Sequence, residues 1–241
     1  MKAKTVLLWM SFLCLSMISA SDSGRAELFI LDGHTHIGLN IDGKRIESRE
    51  LSYYHRRGVD GIVFNLPVDR SKTAKLYERI EREMDAIKGI QSVGIAENAE
   101  DFINSQREQT FAVGFAIEYF YGIFGGDIKR VAKYSQLGIR TITLVHNKYD
   151  PIFKGKHLST YGRNIIREMN RHGILIDITH LSDSQKSAVI RFSRIPVIAS
   201  HANPRGGYDC EFNLSDAVLK LLRNRKGMVL LSINRNDLYA K

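Results

Sequence analysis

Four histidines of this sequence stand at the ends of short apolar runs, a placement that could hold a metal ion. They are His34, His36, His180 and His201. Two of them end the runs 173–179 and 195–200, and the other two follow the run 28–31 as a His-x-His pair. Alternate residues of an extended segment point to the same side, so the two histidines can bind one metal ion together. Imidazole is the commonest metal ligand, although a lone histidine is more often a loop or core residue.

A glutamate occupies the matching position on another run. Glu118 ends the run 110–117, where a carboxylate is either a solvated strand end or an inward-facing ligand. With the four histidines it makes a set of five donors that suits zinc or a similar divalent ion. Because a carboxylate has two oxygens, Glu118 can bridge two ions, which together polarise a carbonyl and activate a water for attack. His146 ends the run 140–145 and is a candidate to hydrogen-bond the developing oxyanion.

These residues gather only if the apolar runs are parallel strands of one sheet. The seven runs of strand composition are 28–31, 58–66, 110–118, 140–146, 173–179, 195–200 and 228–234. Helical patterns alternate with them, which predicts an α/β fold with a parallel sheet. Seven strands are one short of a (β/α)8 TIM barrel, and an open doubly wound sheet is the alternative. Donors on the first, third, fifth and sixth strands converge more readily in a barrel.

The segments between the strands carry recognisable helix signals. Apolar residues recur at helical period over 76–87, and we assign that stripe to packing. Gly138 predicts the end of a helix over 127–137. Ser182 and Gln185 have the spacing of a capping box, so a helix should begin directly after His180.

The first twenty residues and the overall charge bear on location and partners. Residues 1–20 combine a basic start, an apolar stretch over 6–18 and small residues at the end, which predicts a secretory signal peptide rather than a membrane span. We therefore expect a secreted or periplasmic protein, with residues 21–241 as one domain and Cys210 as its lone cysteine. The net charge of +9 is dispersed beside acids, which favours a solvated surface over nucleic-acid binding.

Several motifs of this chain match one known family. The strongest lies over 168–182, and others lie over 32–34, 138–146, 158–162, 196–201 and 213–216. On these segments the chain resembles the membrane (renal) dipeptidase family of zinc peptidases. The resemblance implies a metallo-dependent hydrolase barrel with two zinc ions that hydrolyses dipeptides, including some with a D-residue at the C-terminal position. It implies that His34 and Glu118 hold one ion with Glu118 bridging, that His180 and His201 hold the second, and that His146 contacts the substrate.

The chain departs from the family pattern at three places. His36 stands where the family usually has an aspartate, although imidazole can also ligate a metal. Phe212 stands where the family usually has an arginine that binds the substrate carboxylate, and Arg205 in the same loop is the candidate to replace it. The family also has an eighth strand with a catalytic aspartate, which this sequence lacks. We therefore expect a domain that is incomplete at its C-terminus, with an unpaired seam.

The leading hypothesis is zinc-dependent hydrolysis of dipeptides by a metal-activated water. Two alternatives stay open: another binuclear metal amidohydrolase, since His-x-His is common among those, and a catalytically inactive relative that retains metal. The expected partner is a small peptide substrate, with no stable membrane span after removal of the signal. A homodimer is compatible with all three readings.

Overall fold

The computed structural model describes residues 19–20, 26–27, 29–36, 48–66, 76–118, 123–145 and 151–238. The strands within these ranges are β1 (Ser19–Ala20), β2 (Ala26–Glu27), β3 (Leu31–Thr35), β4 (Gly61–Leu66), β5 (Val93–Ile95), β6 (Phe111–Glu118), β7 (Ile139–Thr143), β8 (Phe153–Lys154), β9 (His157–Leu158), β10 (Leu175–Asp177), β11 (Ile198–Ala199) and β12 (Met228–Val229). The helices are α1 (Ser48–His55), α2 (Leu76–Lys88), α3 (Ala99–Arg107), α4 (Arg130–Leu137), α5 (Thr160–Arg171), α6 (Asp183–Phe192), α7 (Asp216–Asn224) and α8 (Arg235–Leu238).

One parallel sheet forms the centre of the structure. Its strands follow the order β3-β4-β6-β7-β10-β11-β12, which is the order of the chain. These are the seven predicted strands, so the α/β prediction is confirmed. An eighth strand, β5, was not predicted, and it pairs with residues 111–113 of β6 while β7 pairs with residues 115–118. Two antiparallel pairs, β1 with β2 and β8 with β9, lie outside the sheet.

The sheet curls on itself, as the barrel prediction requires. Four strands separate β3 from β11, so a flat sheet would place them about 24 Å apart at about 4.8 Å per strand. Instead, Ser200 Oγ beyond β11 lies 2.9 Å from Nδ1 of His34 on β3. Leu31 on β3 and Leu230 after β12 also belong to one buried apolar cluster. Within the described ranges, β3 and β12 share no backbone ladder.

Several helix termini lie where the sequence predicts them. Ser182 Oγ and the Gln185 side chain form the predicted capping box at the start of α6. Gly138 ends α4 in the left-handed conformation, with φ of 99°. The stripe on α2 is buried through Ile80, Met84 and Ile87, as expected for a helix that packs against the sheet. These capped helices hold the strand ends in register, and the candidate site lies at those ends.

Two sequence predictions fall largely outside the described residues. The signal peptide over 1–20 is described only at Ser19–Ala20, and the continuity of a domain over 21–241 stays a prediction. None of the described helices is long and apolar enough to cross a membrane.

Candidate metal centre

The five predicted donors come together around Glu118. Its Oε1 lies 2.8 Å from His180 Nε2 and 3.9 Å from His201 Nε2. Its Oε2 lies 2.9 Å from His36 Nε2 and 3.8 Å from His34 Nε2. Each carboxylate oxygen therefore faces its own pair of imidazoles. We call these five residues the five-donor cluster.

Glu118 reaches this position because it is the last residue of a completely buried strand. Every residue of β6 is buried, so the strand offers no solvent face to a charged side chain. Burial raises the pKa of the Glu118 carboxyl, but hydrogen bonds from His180 and His36 and the nearby rings of His34 and His201 outweigh it. The net result is a pKa well below the usual range, and Glu118 is an anion at the centre of the cluster.

The backbone at His180 is unusual for a residue with a side chain. Its φ is 69°, in the left-handed region that histidine adopts more readily than most residues. His180 lies in the short link between β10 and α6, and Ser182 already caps the helix. The turn at His180 therefore brings its ring back to Glu118 within that link.

A buried carboxylate beneath the cluster organises two of the histidines. Asp177 ends β10, is fully buried and accepts hydrogen bonds from Thr143 Oγ1 (2.6 Å) and Ser200 Oγ (2.7 Å) at its Oδ2. Its Oδ1 accepts from Thr179 Oγ1 (2.7 Å) and from the backbone N–H groups of Thr179 and Ser200. Burial alone would raise the pKa of Asp177. The His201 and His34 rings and the hydroxyl donors lower this pKa by more than burial raises it, so Asp177 is ionised.

Ser200 fixes the tautomers of His34 and His201. Its Oγ lies 2.9 Å from His34 Nδ1 and 2.8 Å from His201 Nδ1. A hydroxyl has one proton, and Ser200 gives it to the ionised Asp177, which can only accept. The Ser200 oxygen must then accept from both rings. Both Nδ1 atoms carry the proton, and both Nε2 lone pairs point away from Ser200 toward Glu118.

The half-buried rings of His34 and His201 are neutral at physiological pH. Burial and the nearby His201 lower the pKa of His34 to about 3, against an opposing effect of Glu118. Burial also lowers the pKa of His201. Neutral imidazole is the form that binds metal ions.

The donor set fits a pair of divalent ions. Zinc–nitrogen bonds of about 2.0–2.1 Å in tetrahedral geometry put donor atoms about 3.3 Å apart. Two groups have donor atoms within 4.8 Å of one another and share Glu118: one with His34 and His36, the other with His180 and His201. A third close group joins His34, His201 and Asp177. It is a hydrogen-bond network instead, because Asp177 is saturated by donors and Ser200 bridges it to both rings.

The two other predicted site residues are His146 and Arg205. His146 lies outside the described residues. Arg205 directs its Nη1 and Nη2 atoms to the carboxylate of Asp183, at 3.0 and 3.1 Å, and Nη2 also donates to Asn213 O. Phe212 lies edge-on to His180, with ring centroids 5.3 Å apart.

Sequence reasoning missed the Asp177–Ser200 pair. The signal for Asp177 was present: it is a charged residue inside the apolar run 174–178. Such a residue needs buried donors, and its neighbours include several hydroxyls. Ser200 directly precedes His201, but its contact with His34 depends on how the sheet curls.

The chain is similar in sequence to known dipeptidases. A family profile described as membrane dipeptidase (peptidase family M19) matches residues 68–239. Dipeptidase 3 of Rattus norvegicus is 32% identical over 111 residues, which cover 41% of this chain and 23% of the relative. Dipeptidase aclJ of Aspergillus oryzae is 33% identical over 119 residues, which cover 45% and 28%. The chain thus spans about a quarter of the length of these curated relatives.

Solved structures share its fold. The probable dipeptidase PvdM from Pseudomonas aeruginosa superposes with a TM-score of 0.72 at 20% identity, over 84% of this chain and 59% of that one. A metallo peptidase from Rhodobacter sphaeroides, solved with a phosphinate mimic of the dipeptide L-Ala-D-Ala, gives a TM-score of 0.70 at 19% identity, over 87% and 75%.

Proposed function

The chain belongs to the membrane dipeptidase family, and from this premise we propose that it hydrolyses dipeptides at the five-donor cluster. One observation carries the proposal: the two oxygens of Glu118 face two separate pairs of imidazoles. That arrangement suits two divalent ions that share one carboxylate, and we propose zinc for both because imidazole and carboxylate are typical zinc ligands.

The residues of the chain have distinct roles in this proposal. Bound ions would polarise the peptide carbonyl and lower the pKa of a water. Glu118 supplies the negative charge that two cations need between them. Ser200 and Asp177 hold His34 and His201 in the tautomer that offers Nε2 to a metal, which spares the site a rearrangement on binding.

The remaining predicted roles are also part of the proposal. We assign His146 to the substrate oxyanion on the family resemblance. Arg205 would bind a substrate carboxylate only by giving up its paired contacts with Asp183, so we expect it to position the loop 203–213 unless that pair opens. The composition of residues 1–20 supports a signal peptide and an extracytoplasmic location, and a homodimer stays a prediction.

The test is metal content combined with turnover. The purified chain is loaded with zinc, its metal content is measured by mass spectrometry, and hydrolysis is followed with a panel of dipeptides that includes L,L and L,D pairs. We expect about two ions per chain and turnover that His180→Ala abolishes. Metal without turnover would refute hydrolysis and favour an inactive metal-binding relative. A chain that binds no divalent ion would refute the metal centre itself.

A further inference from the structure

An exposed aromatic ring stands against the five-donor cluster. Phe212 is 42% exposed, and its ring meets the His180 ring at 79° with centroids 5.3 Å apart. The Phe212 ring is therefore in T-shaped contact with a proposed metal ligand while much of it faces solvent. An apolar surface in contact with a reaction centre is suited to bind part of a substrate.

The backbone that presents this ring is firmly held. The Nζ of Lys186, a fully buried residue of α6, donates to Phe212 O at 3.2 Å. The next residue, Asn213, is also fully buried, and its Nδ2 donates to Tyr208 O (2.8 Å) and Asp237 O (3.0 Å). Its Oδ1 accepts from Asn203 N at 2.9 Å. The backbone that carries the exposed ring is therefore held by two buried polar side chains, Lys186 and Asn213.

Two cationic side chains near Phe212 are already engaged within the protein. The ammonium of Lys186 is buried and bound to the Phe212 carbonyl, and the guanidinium of Arg205 is paired with Asp183. The Phe212 ring is itself an apolar surface, and the residue before it is the exposed acid Glu211. A hydrocarbon side chain of a bound substrate would bury the exposed part of the ring, whereas an acidic side chain would lose water there without gaining a cationic side chain as partner.

We propose that Phe212 determines substrate specificity by forming the contact surface for an aromatic or large aliphatic side chain of the dipeptide. The inference rests on the proposed function and adds to it a substrate class. It predicts that the chain prefers Ala-Phe or Phe-Ala over Ala-Ala, and that it discriminates against Ala-Asp and Asp-Ala.

The test compares selectivity among variants of the full chain. For each variant, kcat/KM is measured on the preferred phenylalanine dipeptide and on Ala-Ala. Phe212→Ala should lower the ratio of the two values about tenfold, because it removes a large part of the apolar contact. Phe212→Leu should restore most of the ratio. Tyr53→Ala is the control. It removes another exposed aromatic ring, which lies on α1 and stacks under Arg57, and it should leave the ratio of kcat/KM values unchanged.

A binding measurement separates substrate contact from support of His180. Calorimetry gives the dissociation constants of two phosphinate dipeptide mimics, one with a benzyl and one with a methyl side chain. Phe212→Ala should weaken the benzyl mimic selectively, with zinc content unchanged. Equal weakening of both mimics, or loss of zinc, would overturn the inference and make Phe212 a support for His180. A wild-type chain that hydrolyses no dipeptide would overturn the proposed function instead, and the calorimetric comparison would still decide the role of Phe212.

Discussion

Replacing Ser200 by alanine should weaken zinc binding without removing a single proposed ligand. The substitution deletes the oxygen that accepts from His34 Nδ1 (2.9 Å) and His201 Nδ1 (2.8 Å). It also deletes the proton that Asp177 Oδ2 receives at 2.7 Å. Both rings are then free to take the other tautomer, in which the Nε2 atoms carry protons and cannot bind metal.

The size of the effect follows from the groups that lose a partner. Loss of an outer-shell hydrogen bond to a metal ligand typically costs about 10- to 100-fold in affinity. Ser200 supports two ligands, so we expect the upper part of that range, which is about 2.7 kcal/mol at 100-fold. The metal-free protein should also lose stability, since an unsatisfied buried polar group costs about 1–3 kcal/mol.

Competition with a fluorescent chelator measures the zinc affinity, and urea unfolding of the metal-free protein measures the stability. Ser193→Ala is the matched control, because Ser193 is an equally buried serine at the end of α6 that donates to Ile195 O. It should cost stability but leave zinc affinity unchanged. Nitrogen-15 spectra of the metal-free protein should show protonated Nδ1 atoms on His34 and His201. A zinc affinity of Ser200→Ala within about twofold of the wild-type value would refute the tautomer argument.

Three further predictions concern the shared carboxylate, a buried lysine and a tightly packed glycine. Glu118→Gln keeps the shape but removes the anion between the two imidazole pairs, so zinc content should fall below one ion per chain by mass spectrometry; retention of two ions would show that the charge is dispensable. Burial lowers the pKa of Lys186 from its usual 10.5, so wild-type stability should rise as the pH increases toward 10.5 and the buried ammonium loses its proton. Lys186→Met should therefore compare most favourably with the wild type in urea unfolding at pH 7 and less favourably at pH 10, and a pH-independent difference would contradict the assignment. A Cβ at Gly162 would clash with the backbone oxygen of Ile152, so Gly162→Ala should lower the unfolding free energy by about 1–3 kcal/mol. Gly206→Ala, where a Cβ meets nothing within 4 Å, is the control, and equal effects of the two changes would refute the clash.

The sequence predicted most of the sheet because its strands are rich in apolar residues and alternate with helical patterns. It missed β5, which has three half-buried residues and no clear pattern. It also missed α3, whose composition is mostly polar, although Asn98 and Asp101 form a capping box that could have revealed it. The predicted strand over 228–234 shortens to Met228–Val229, because ladder pairing with β11 ends there.

The sequence could indicate that the five donors lie close together, but not the hydrogen bonds that connect them to other residues. Parallel strands put their carboxyl ends at one edge, so the convergence of His180, His201 and Glu118 follows from topology. The contact between Ser200 and His34 depends on the curvature of the whole sheet, which no local pattern encodes. The engagement of Arg205 by Asp183 is likewise a tertiary contact that spacing alone could not anticipate.

The buried cluster that includes Leu31 of β3 and Leu230 after β12 has a consequence for how the protein folds. Leu31 and Leu230 stand near opposite ends of the described chain, yet they share one buried cluster. Contacts at such sequence separation carry a large loop-closure entropy and form slowly. No backbone ladder joins β3 to β12 in the described ranges, so the packing of this cluster should form late and open early. His34 lies on β3 close to this cluster. The proposed metal site should therefore be completed late in folding.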